Sequence, residues 1–343
     1  MRIAIVTDAW EPQVNGVVRT LSRTRQELDA MGHEVMLITP AGRRSVPMPS
    51  YPEIRLSLLA GPDVRRDLSR FAPDCIHIAT EGPLGLAARA YCQRGQIPFT
   101  TAYHTQFPEY VRARAPVPLA WTARLLRWFH GPAVRTMVPT EAIRNKLTDR
   151  GFENVVIWSR GVDTGMFNPA TPHAYPLEKP IWIYLGRVAV EKNIEAFLNL
   201  ELAGSKVVIG DGPDREALSR RFPHCRFLGY RFGRDLADHL AGADVFVFPS
   251  KTDTFGLVML EAMACGLPVA ALPVDGPIDV VRNGETGILD DDLRTACLAA
   301  LELDRKACRR YAKQRSWRRA TEQFEAYLAP RVLETASDQP ASS

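Results

Sequence analysis

Short apolar runs alternate with amphipathic stretches along most of this chain, and the alternation comes in two successive series. Near-continuous apolar runs are typical of strands in a parallel sheet, because helices cover both faces of such a sheet. Each series therefore predicts a doubly wound α/β domain. The strands predicted for the first series are Arg2–Thr7, Glu34–Thr39, Asp74–Ile78, Pro98–Tyr103 and Val155–Ile157, and those for the second are Ile181–Leu185, Lys206–Ile209, Arg226–Leu228, Val245–Phe248 and Pro268–Ala271.

A segment rich in proline and polar residues, Pro169–Pro180, separates the two series and is typical of a linker. It predicts a first domain over residues 1–170 and a second over 171–304. Ligands of doubly wound domains bind beyond the carboxyl ends of the strands, so two facing domains are expected to bind theirs in the cleft between them. We expect a C-terminal helix over 305–330, with a return to the first domain left open, and disorder in the small, polar tail 331–343.

The composition excludes several classes of protein. No apolar run approaches the roughly 20 residues that span a bilayer, which excludes an integral membrane protein. The apolar N-terminal run ends at Asp8, too early for the core of a signal peptide, and predicts a buried first strand in a cytoplasmic protein. The six cysteines form no Cys-x-x-Cys pair, which favours reduced, partly buried thiols over disulfides or a metal site.

Positive charge is concentrated in the first half of the chain. Residues 1–171 contain 21 lysines and arginines against 15 acidic residues, a net +6, whereas the remainder has a net −2. This imbalance is too mild for a dedicated nucleic-acid-binding protein. It suits an anionic ligand or an anionic membrane surface.

Arginines and tryptophans cluster between residues 111 and 135, and three apolar residues there fall on one helical face. Aromatic and cationic side chains together favour a helix that lies on an anionic bilayer. A core-packed helix with a charged outer face fits the pattern equally well, and both interpretations stay open. The candidate membrane-binding residues are Arg112, Arg114, Trp121, Arg124, Arg127 and Trp128.

The strongest chemical signal follows the predicted strand Val245–Phe248. A polar loop carries Asp253, a helix opens near Gly256, and Glu261 lies more than one turn inside that helix. Unpaired amides at a helix start can hold a phosphate, and a glycine there suggests close approach of a ligand. The two carboxylates then flank the anion and can accept hydrogen bonds from hydroxyl groups. The alternative for Glu261 is a solvated or ion-paired helix residue.

Five other candidate residues follow predicted strands. Arg187 and Lys192 lie on one strand-to-helix turn, where two cations can neutralise a diphosphate, although a pair of surface cations is the alternative. Gly210 marks a glycine-rich turn that has a purely structural alternative. Gly16 opens a helix, so its amide can face an anion unless the turn is an ordinary one. His104 lies at the carboxyl end of a predicted strand, on the cleft side, which favours a functional role, although a lone histidine is more often structural.

These motifs resemble glycosyltransferase family 4, of the GT-B structural class, over about residues 1–330. The family signature has two acidic residues separated by seven others, and Asp253 and Glu261 have this spacing. Most members carry glutamate at the first position. This chain has aspartate there instead. In this respect, and in the string Thr252–Gly256, it resembles the branch of sulfoquinovosyl-, mannosyl- and glucosyl-lipid synthases.

The resemblance implies roles for individual residues. Asp253 would contact the hydroxyls of the donor sugar, and Glu261 would hold the ribose. His104 would hold the transferred sugar and orient the acceptor, with proton sharing by its imidazole left open. The segment Phe227–Tyr230 resembles the nucleobase loop, in which backbone atoms read the base. The implied catalytic residues are His104, Arg187, Lys192 and Asp253, and the implied donor-binding residues are Gly16, Arg187, Lys192, Gly210, Leu228, Asp253, Thr254, Phe255, Gly256, Leu257 and Glu261.

The resulting prediction is a retaining glycosyltransferase. It would move a hexose from a UDP- or GDP-sugar to a membrane glycerolipid such as diacylglycerol or a phosphatidylinositol-type lipid, from the cytoplasmic face of the membrane. A polysaccharide or small-molecule acceptor is one alternative. A nucleotide-sugar epimerase or hydrolase and a non-catalytic binding protein are alternatives of other classes.

No metal or other cofactor is expected, because Arg187 and Lys192 already supply the positive charge that a metal would bring. The run Asp290–Asp292 could be mistaken for a metal site. It precedes a predicted helix, and carboxylates at a helix start satisfy unpaired amides, so helix capping is the favoured interpretation.

Overall fold

The computed structural model describes residues 1–48, 51–104 and 119–331. These residues form two compact units, each assembled from several stretches of chain. Of the described residues, the first unit contains 1–48, 51–103, Leu126–Met137 and 324–331. The second contains His104, 119–125 and Val138–Gln323.

The first parallel sheet has the strand order β2-β1-β5-β6-β7-β8, and the registers from β2 to β7 are all parallel. Strands β3 and β4 form a separate antiparallel pair. The strands are β1 Arg2–Val6, β2 Glu34–Ile38, β3 Ser45–Met48, β4 Tyr51–Ser57, β5 Cys75–Ile78, β6 Thr100–Ala102, β7 Arg135–Val138 and β8 Val155–Ile157; the helices are α1 Gly16–Ala30, α2 Ala60–Phe71, α3 Pro83–Arg94, α4 Leu119–His130 and α5 Glu141–Asp149.

A buried carboxylate joins β1 to α3. Asp8 follows β1 and accepts hydrogen bonds from the amides of Leu84 and Gly85, at 2.9 and 3.2 Å, and from the Thr80 hydroxyl at 3.0 Å. Burial raises the pKa of Asp8, and these hydrogen bonds oppose that shift by stabilising the carboxylate. A Cβ atom on Gly82 would lie 2.4 Å from Cγ of Asp8, so glycine is required there. Asp8 therefore caps α3 and fixes its start.

The second sheet has the order β11-β10-β9-β12-β13-β14 and is parallel throughout. Both faces of its strand β9 are buried, because alternate residues join two different core clusters. The strands are β9 Ile181–Leu185, β10 Ser205–Ile209, β11 Arg226–Gly229, β12 Val245–Phe248, β13 Val269–Ala271 and β14 Gly287–Leu289; the helices are α6 Ile194–Leu198, α7 Arg215–Arg221, α8 Gly233–Gly242, α9 Leu257–Ala264, α10 Pro277–Val280 and α11 Leu293–Ala300.

Two helices, α12 Arg305–Lys313 and α13 Trp317–Tyr327, replace the single C-terminal helix that the sequence predicted over 305–330. The carbonyl of Arg315 accepts a hydrogen bond from the amide of Val162 at 2.9 Å instead of continuing a helix. A Cβ atom on Gly161 would lie 2.3 Å from the nitrogen of Trp317, which shows how closely the two backbones approach. Of the predicted tail 331–343, all but Arg331 lies outside the described residues.

Two smaller predictions are confirmed. All six cysteines lie within the described residues as buried, free thiols. Asp292 caps α11 and accepts hydrogen bonds from the amides of Arg294 and Thr295, as expected for a carboxylate at a helix start.

Candidate active site

Backbone contacts hold together the turns that follow β9, β10 and β11. The amide of Gly186 donates to the carbonyl of Ile209 at 3.0 Å, and the amide of Gly210 donates to that of Gly229 at 2.9 Å. Gly210 has φ of +133°, and a Cβ atom there would lie 1.9 Å from the oxygen of Gly186. Close backbone packing therefore requires glycine at position 210, whatever else that residue does.

A bulge places Leu228 out of the regular ladder. Val208 pairs with Phe227 and Ile209 pairs with Gly229, so the register skips Leu228 between them. A residue in a bulge lacks a regular ladder partner, which leaves its backbone to other uses. This geometry suits a loop whose backbone atoms would contact a nucleobase.

The two loops after β9 and β12 carry a cation and a carboxylate in direct contact. Nζ of Lys192 donates to Oδ1 of Asp253 at 2.7 Å, and both side chains are largely buried. Two further hydrogen bonds connect the same loops, from Nδ2 of Asn193 to the Pro249 carbonyl and from the Thr252 hydroxyl to the Glu191 carbonyl.

Arg187 lies on the same loop as Lys192 and is half-buried. Its carbonyl accepts a hydrogen bond from the Tyr184 hydroxyl at 2.8 Å, which ties the start of the loop to β9. The loop therefore presents two cationic residues beyond the carboxyl end of β9, where ligands of doubly wound sheets bind.

Gly256, the residue just before helix α9, has a left-handed backbone conformation that favours glycine. Gly256 has φ of +82°, and a Cβ atom there would lie 2.6 Å from Cε of Met259 and 3.0 Å from Cζ of Phe248. Gly256 has no side chain with which to cap this helix start. The first amides of α9, from Leu257 onward, can therefore hold an anion with the help of the helix dipole.

Thr254 and Phe255, both predicted donor-binding residues, are held by the surrounding protein. The Thr254 hydroxyl donates to the carbonyl of His104 at 2.8 Å, and the Thr254 carbonyl accepts from the Thr140 hydroxyl at 3.3 Å. The Phe255 ring is buried in the core cluster beneath β9. Contact with a donor at these two positions would therefore come from backbone atoms.

Glu261 is only 8% exposed and lies in the middle of α9. The thiol of Cys265 lies one turn further on. Its pKa is raised to about 12, chiefly by burial and additionally by the negative charge of Glu261. Burial excludes a solvated glutamate, because the side chain is in the protein interior, and leaves the ion-paired alternative open.

His104 contacts a residue that sequence reasoning did not select. Nδ1 of His104 lies 3.3 Å from Nη2 of Arg160, and its ring packs edge-on against Trp158. Arg160 is 4% exposed, which is rare for an arginine. Its only sequence signal is a cation three residues beyond the short apolar run that forms β8.

Gly16 belongs to the first unit, whereas the other predicted site residues belong to the second. It is the first residue of α1, and the Asn15 side chain caps that helix by accepting from the amides of Val17 and Val18, both at 3.0 Å. The Thr20 hydroxyl donates to the Gly16 carbonyl at 2.7 Å.

Comparison with known proteins identifies the family. Residues 14–165 match the family described as Glycosyltransferase Family 4, and residues 179–303 match Glycosyl transferases group 1. A GDP-mannose-dependent alpha-mannosyltransferase of Mycobacterium tuberculosis is 34% identical over 84% of this chain and 83% of its own length. The chain belongs to glycosyltransferase family 4.

Two other comparisons agree with this family assignment. A sulfoquinovosyl transferase of Arabidopsis thaliana is 32% identical, over 90% of this chain and 69% of its own length. The solved structure of a sucrose-phosphate synthase from Thermosynechococcus elongatus superimposes with a TM-score of 0.77 at 21% identity, covering 95% of this chain and 97% of that one. The family 4 glycosyltransferase therefore has the predicted GT-B fold, with two Rossmann-like parallel sheets.

Helix α4 of this glycosyltransferase has a core face and a solvent face. Leu126 and Phe129 are buried, whereas Leu125 and Trp128 are 56% and 52% exposed. Arg124 and Arg127 are exposed beside them, and the Arg89 guanidinium lies 3.9 Å from the Trp128 ring centroid. Arg112, Arg114 and the side chain of Trp121, which the sequence also predicted for membrane binding, lie outside the described residues.

Proposed function

We propose that this family 4 glycosyltransferase moves a hexosyl group from a nucleoside-diphosphate sugar to a membrane glycerolipid, with retention of anomeric configuration and without a metal ion. The observation that carries the proposal is the contact between Lys192 and Asp253. A cation and a carboxylate thus lie together beyond the carboxyl ends of paired strands β9 and β12, in the turn region that leads into α9, whose N-cap residue is Gly256.

These groups suit stabilisation of a departing diphosphate. As the bond between the anomeric carbon and the diphosphate oxygen breaks, negative charge develops on that oxygen. Arg187, Lys192 and the first amides of α9 would take up this charge, which preorganised donors do most effectively in a partly buried site. Asp253 would exchange its bond to Lys192 for a bond to a hydroxyl of the donor sugar, and Glu261 would hold the ribose.

Retention follows in this proposal if the acceptor hydroxyl attacks from the face that the diphosphate leaves. The acceptor oxygen bonds to the anomeric carbon while its proton passes to the departing phosphate oxygen. No enzyme nucleophile takes part. The lysine and arginine replace the Lewis acid that a metal would supply.

The names of relatives support a hexosyl donor and a lipid acceptor. Three relatives that are 30 to 34% identical are named GDP-mannose-dependent alpha-mannosyltransferases, from Mycobacterium tuberculosis, Corynebacterium glutamicum and Mycolicibacterium smegmatis. A relative from Acholeplasma laidlawii, 26% identical, is named alpha-monoglucosyldiacylglycerol synthase. GDP-mannose is therefore the first donor to test, and diacylglycerol the first acceptor.

The anomeric configuration of the product tests this proposal. GDP-mannose and UDP-glucose carry α-linked sugars, so a retaining enzyme makes an α-glycoside. We expect an α-glycosidase, and not a β-glycosidase, to release the label from the organic-phase product. Release by the β-glycosidase alone would contradict retention, and a product confined to the aqueous phase would favour a polysaccharide or small-molecule acceptor.

Peripheral membrane association is part of the proposal. Within the part of the chain that the structure describes, no helix combines the length and apolarity needed to cross a bilayer. The exposed face of α4, with Arg124, Leu125, Arg127 and Trp128, instead offers the mixture of basic and apolar side chains that binds an anionic surface.

Removing two charges from this face is expected to weaken membrane binding. Each cation near an anionic surface contributes about 1 kcal/mol, so Arg124→Ala with Arg127→Ala should reduce binding to phosphatidylglycerol vesicles by about tenfold or more. Flotation of the vesicles measures the bound fraction. The control is Arg220→Ala with Arg221→Ala, exposed arginines of α7 that give the same change in net charge. Equal losses in both double variants would show that α4 has no special role.

A further inference from the structure

Arg160 is a buried cation with fixed contacts. Its Nη1 donates to the carbonyls of Trp158 and Ser159, at 2.6 and 3.1 Å. The guanidinium carbon lies 4.2 Å from the centroid of the Trp158 ring. Burial lowers the pKa of Arg160 to about 9, which still leaves the group protonated at neutral pH.

The contact between Arg160 and His104 determines which imidazole nitrogen carries hydrogen. A guanidinium has only donors, so its Nη2 can approach Nδ1 of His104 at 3.3 Å only as a donor to an unprotonated nitrogen. The imidazole must then be neutral, with its hydrogen on Nε2. We infer that Arg160 is a positioning residue that holds His104 as the neutral Nε2–H tautomer.

Other contacts fix the position of the histidine. The ring packs edge-on against Trp158, with centroids 5.7 Å apart and an interplanar angle of 73°. Trp158 is itself buried, and its indole Nε1 donates to the Ala320 carbonyl at 3.1 Å. The Thr254 hydroxyl anchors the His104 carbonyl. Neither the indole nor this hydroxyl titrates near neutral pH, so Arg160 supplies the charge in this group of contacts.

This inference rests on the proposed function for its catalytic consequence. A neutral His104 with Nδ1 occupied can donate one hydrogen bond from Nε2 to a hydroxyl of the transferred sugar or of the acceptor. It cannot act as an imidazolium acid, and it cannot accept the acceptor's proton. The proton then passes to the departing phosphate oxygen, as the proposed mechanism requires.

Nitrogen NMR tests the tautomer without any assay of activity. Protein labelled with ¹⁵N-histidine is measured near pH 6, where an ordinary imidazole is largely protonated. The His104 signals are those missing from the His104→Gln spectrum. We expect Nδ1 to be unprotonated and Nε2 to be protonated. A doubly protonated His104, or a hydrogen on Nδ1, would overturn the inference even if glycosyl transfer is confirmed.

A double-mutant cycle tests whether Arg160 acts through His104. Arg160→Met should lower kcat by about tenfold or more, since it misplaces a group that would orient the reacting sugar or the acceptor. In a His104→Ala background the same change should have little further effect. Arg160→Lys keeps a cationic donor and should recover part of the loss. Effects that multiply in full would assign Arg160 a merely structural role.

The matched control is Arg309→Met. The Arg309 guanidinium also donates to backbone carbonyls, those of Phe167 and Ala264, at 2.6 and 2.7 Å. Any effect of this substitution should multiply with that of His104→Ala, because it acts through stability alone. If Arg160→Met does not fold, the NMR measurement on the unaltered protein still decides the inference.

Discussion

Replacing Lys192 by alanine is expected to lower kcat by roughly 10²-fold or more. The substitution removes a cation that would stabilise charge developing on the diphosphate, and loss of one such preorganised donor typically costs 10²- to 10³-fold. It also leaves Asp253 without the lysine that it contacts at 2.7 Å. Steady-state rates with saturating donor and acceptor measure the effect. A rate near that of the unaltered protein would contradict the role of Lys192.

The same two strands offer a matched control for this substitution. Lys179 and Asp244 form an ion pair at 3.3 Å, and they precede β9 and β12, whereas Lys192 and Asp253 follow them. Lys179→Ala therefore breaks a lysine–aspartate pair at the opposite end of the sheet. We expect it to leave kcat within about twofold, because exposed pairs contribute little. A similar loss in both variants would point to a general effect on stability.

Glu261→Gln is expected to raise the KM for the donor by about 10- to 100-fold, with a smaller effect on kcat. Hydrogen bonds to a charged group are worth about 1.5 to 3 kcal/mol, and the proposed ribose contact is remote from the bond that breaks. The carboxylate is 8% exposed, so its charge acts within the protein interior. The substitution is nearly isosteric, and α9 should keep its place.

Nucleotide binding separates this effect from a structural one. UDP and GDP binding should weaken in the Glu261→Gln variant by the same factor as the donor KM, because both share the ribose. Glu216→Gln, on the exposed face of α7, provides the same change in charge as a control. Unchanged nucleotide binding with a reduced kcat would assign Glu261 to the chemical step and contradict a role in ribose binding.

Much of the fold could be predicted because local signals determine it. Strand β9 alternates between two buried clusters, and such double burial produces the continuous apolar run that the sequence shows. The four-residue strand β7 was missed, since it begins with Arg135 in a basic segment. The β3–β4 pair was also missed.

Long-range contacts could not be predicted in the same way. Arg160 meets His104 across 56 residues of sequence, and Thr254 meets it across 150. The break between α12 and α13 depends on the approach of the distant Gly161. Periodicity alone also could not tell which face of α4 is exposed to solvent, because apolar residues such as Leu125 and Leu126 lie on both of its faces.

In the candidate site, too, local features could be predicted and contacts between distant segments could not. The loop that carries Asp253 and the helix that carries Glu261 indicated an anion site flanked by two carboxylates, and the family resemblance implied that its ligand is the donor. The contact between Lys192 and Asp253 depends on the pairing of β9 with β12, which are separated by two further strands in the sequence. Residue types at strand ends could therefore suggest the chemistry, while only the sheet order could bring the side chains together.

The most direct test of the account is a two-phase transfer assay in EDTA. The purified protein is incubated with a total bacterial lipid extract and, in turn, with labelled GDP-mannose, UDP-glucose, UDP-glucuronate and UDP-galactose. We predict label in the organic phase from one of these donors, and its loss in the Lys192→Ala variant. An organic phase that stays unlabelled with every donor, or labelling that appears only after a divalent metal is restored, would contradict metal-independent transfer to a lipid.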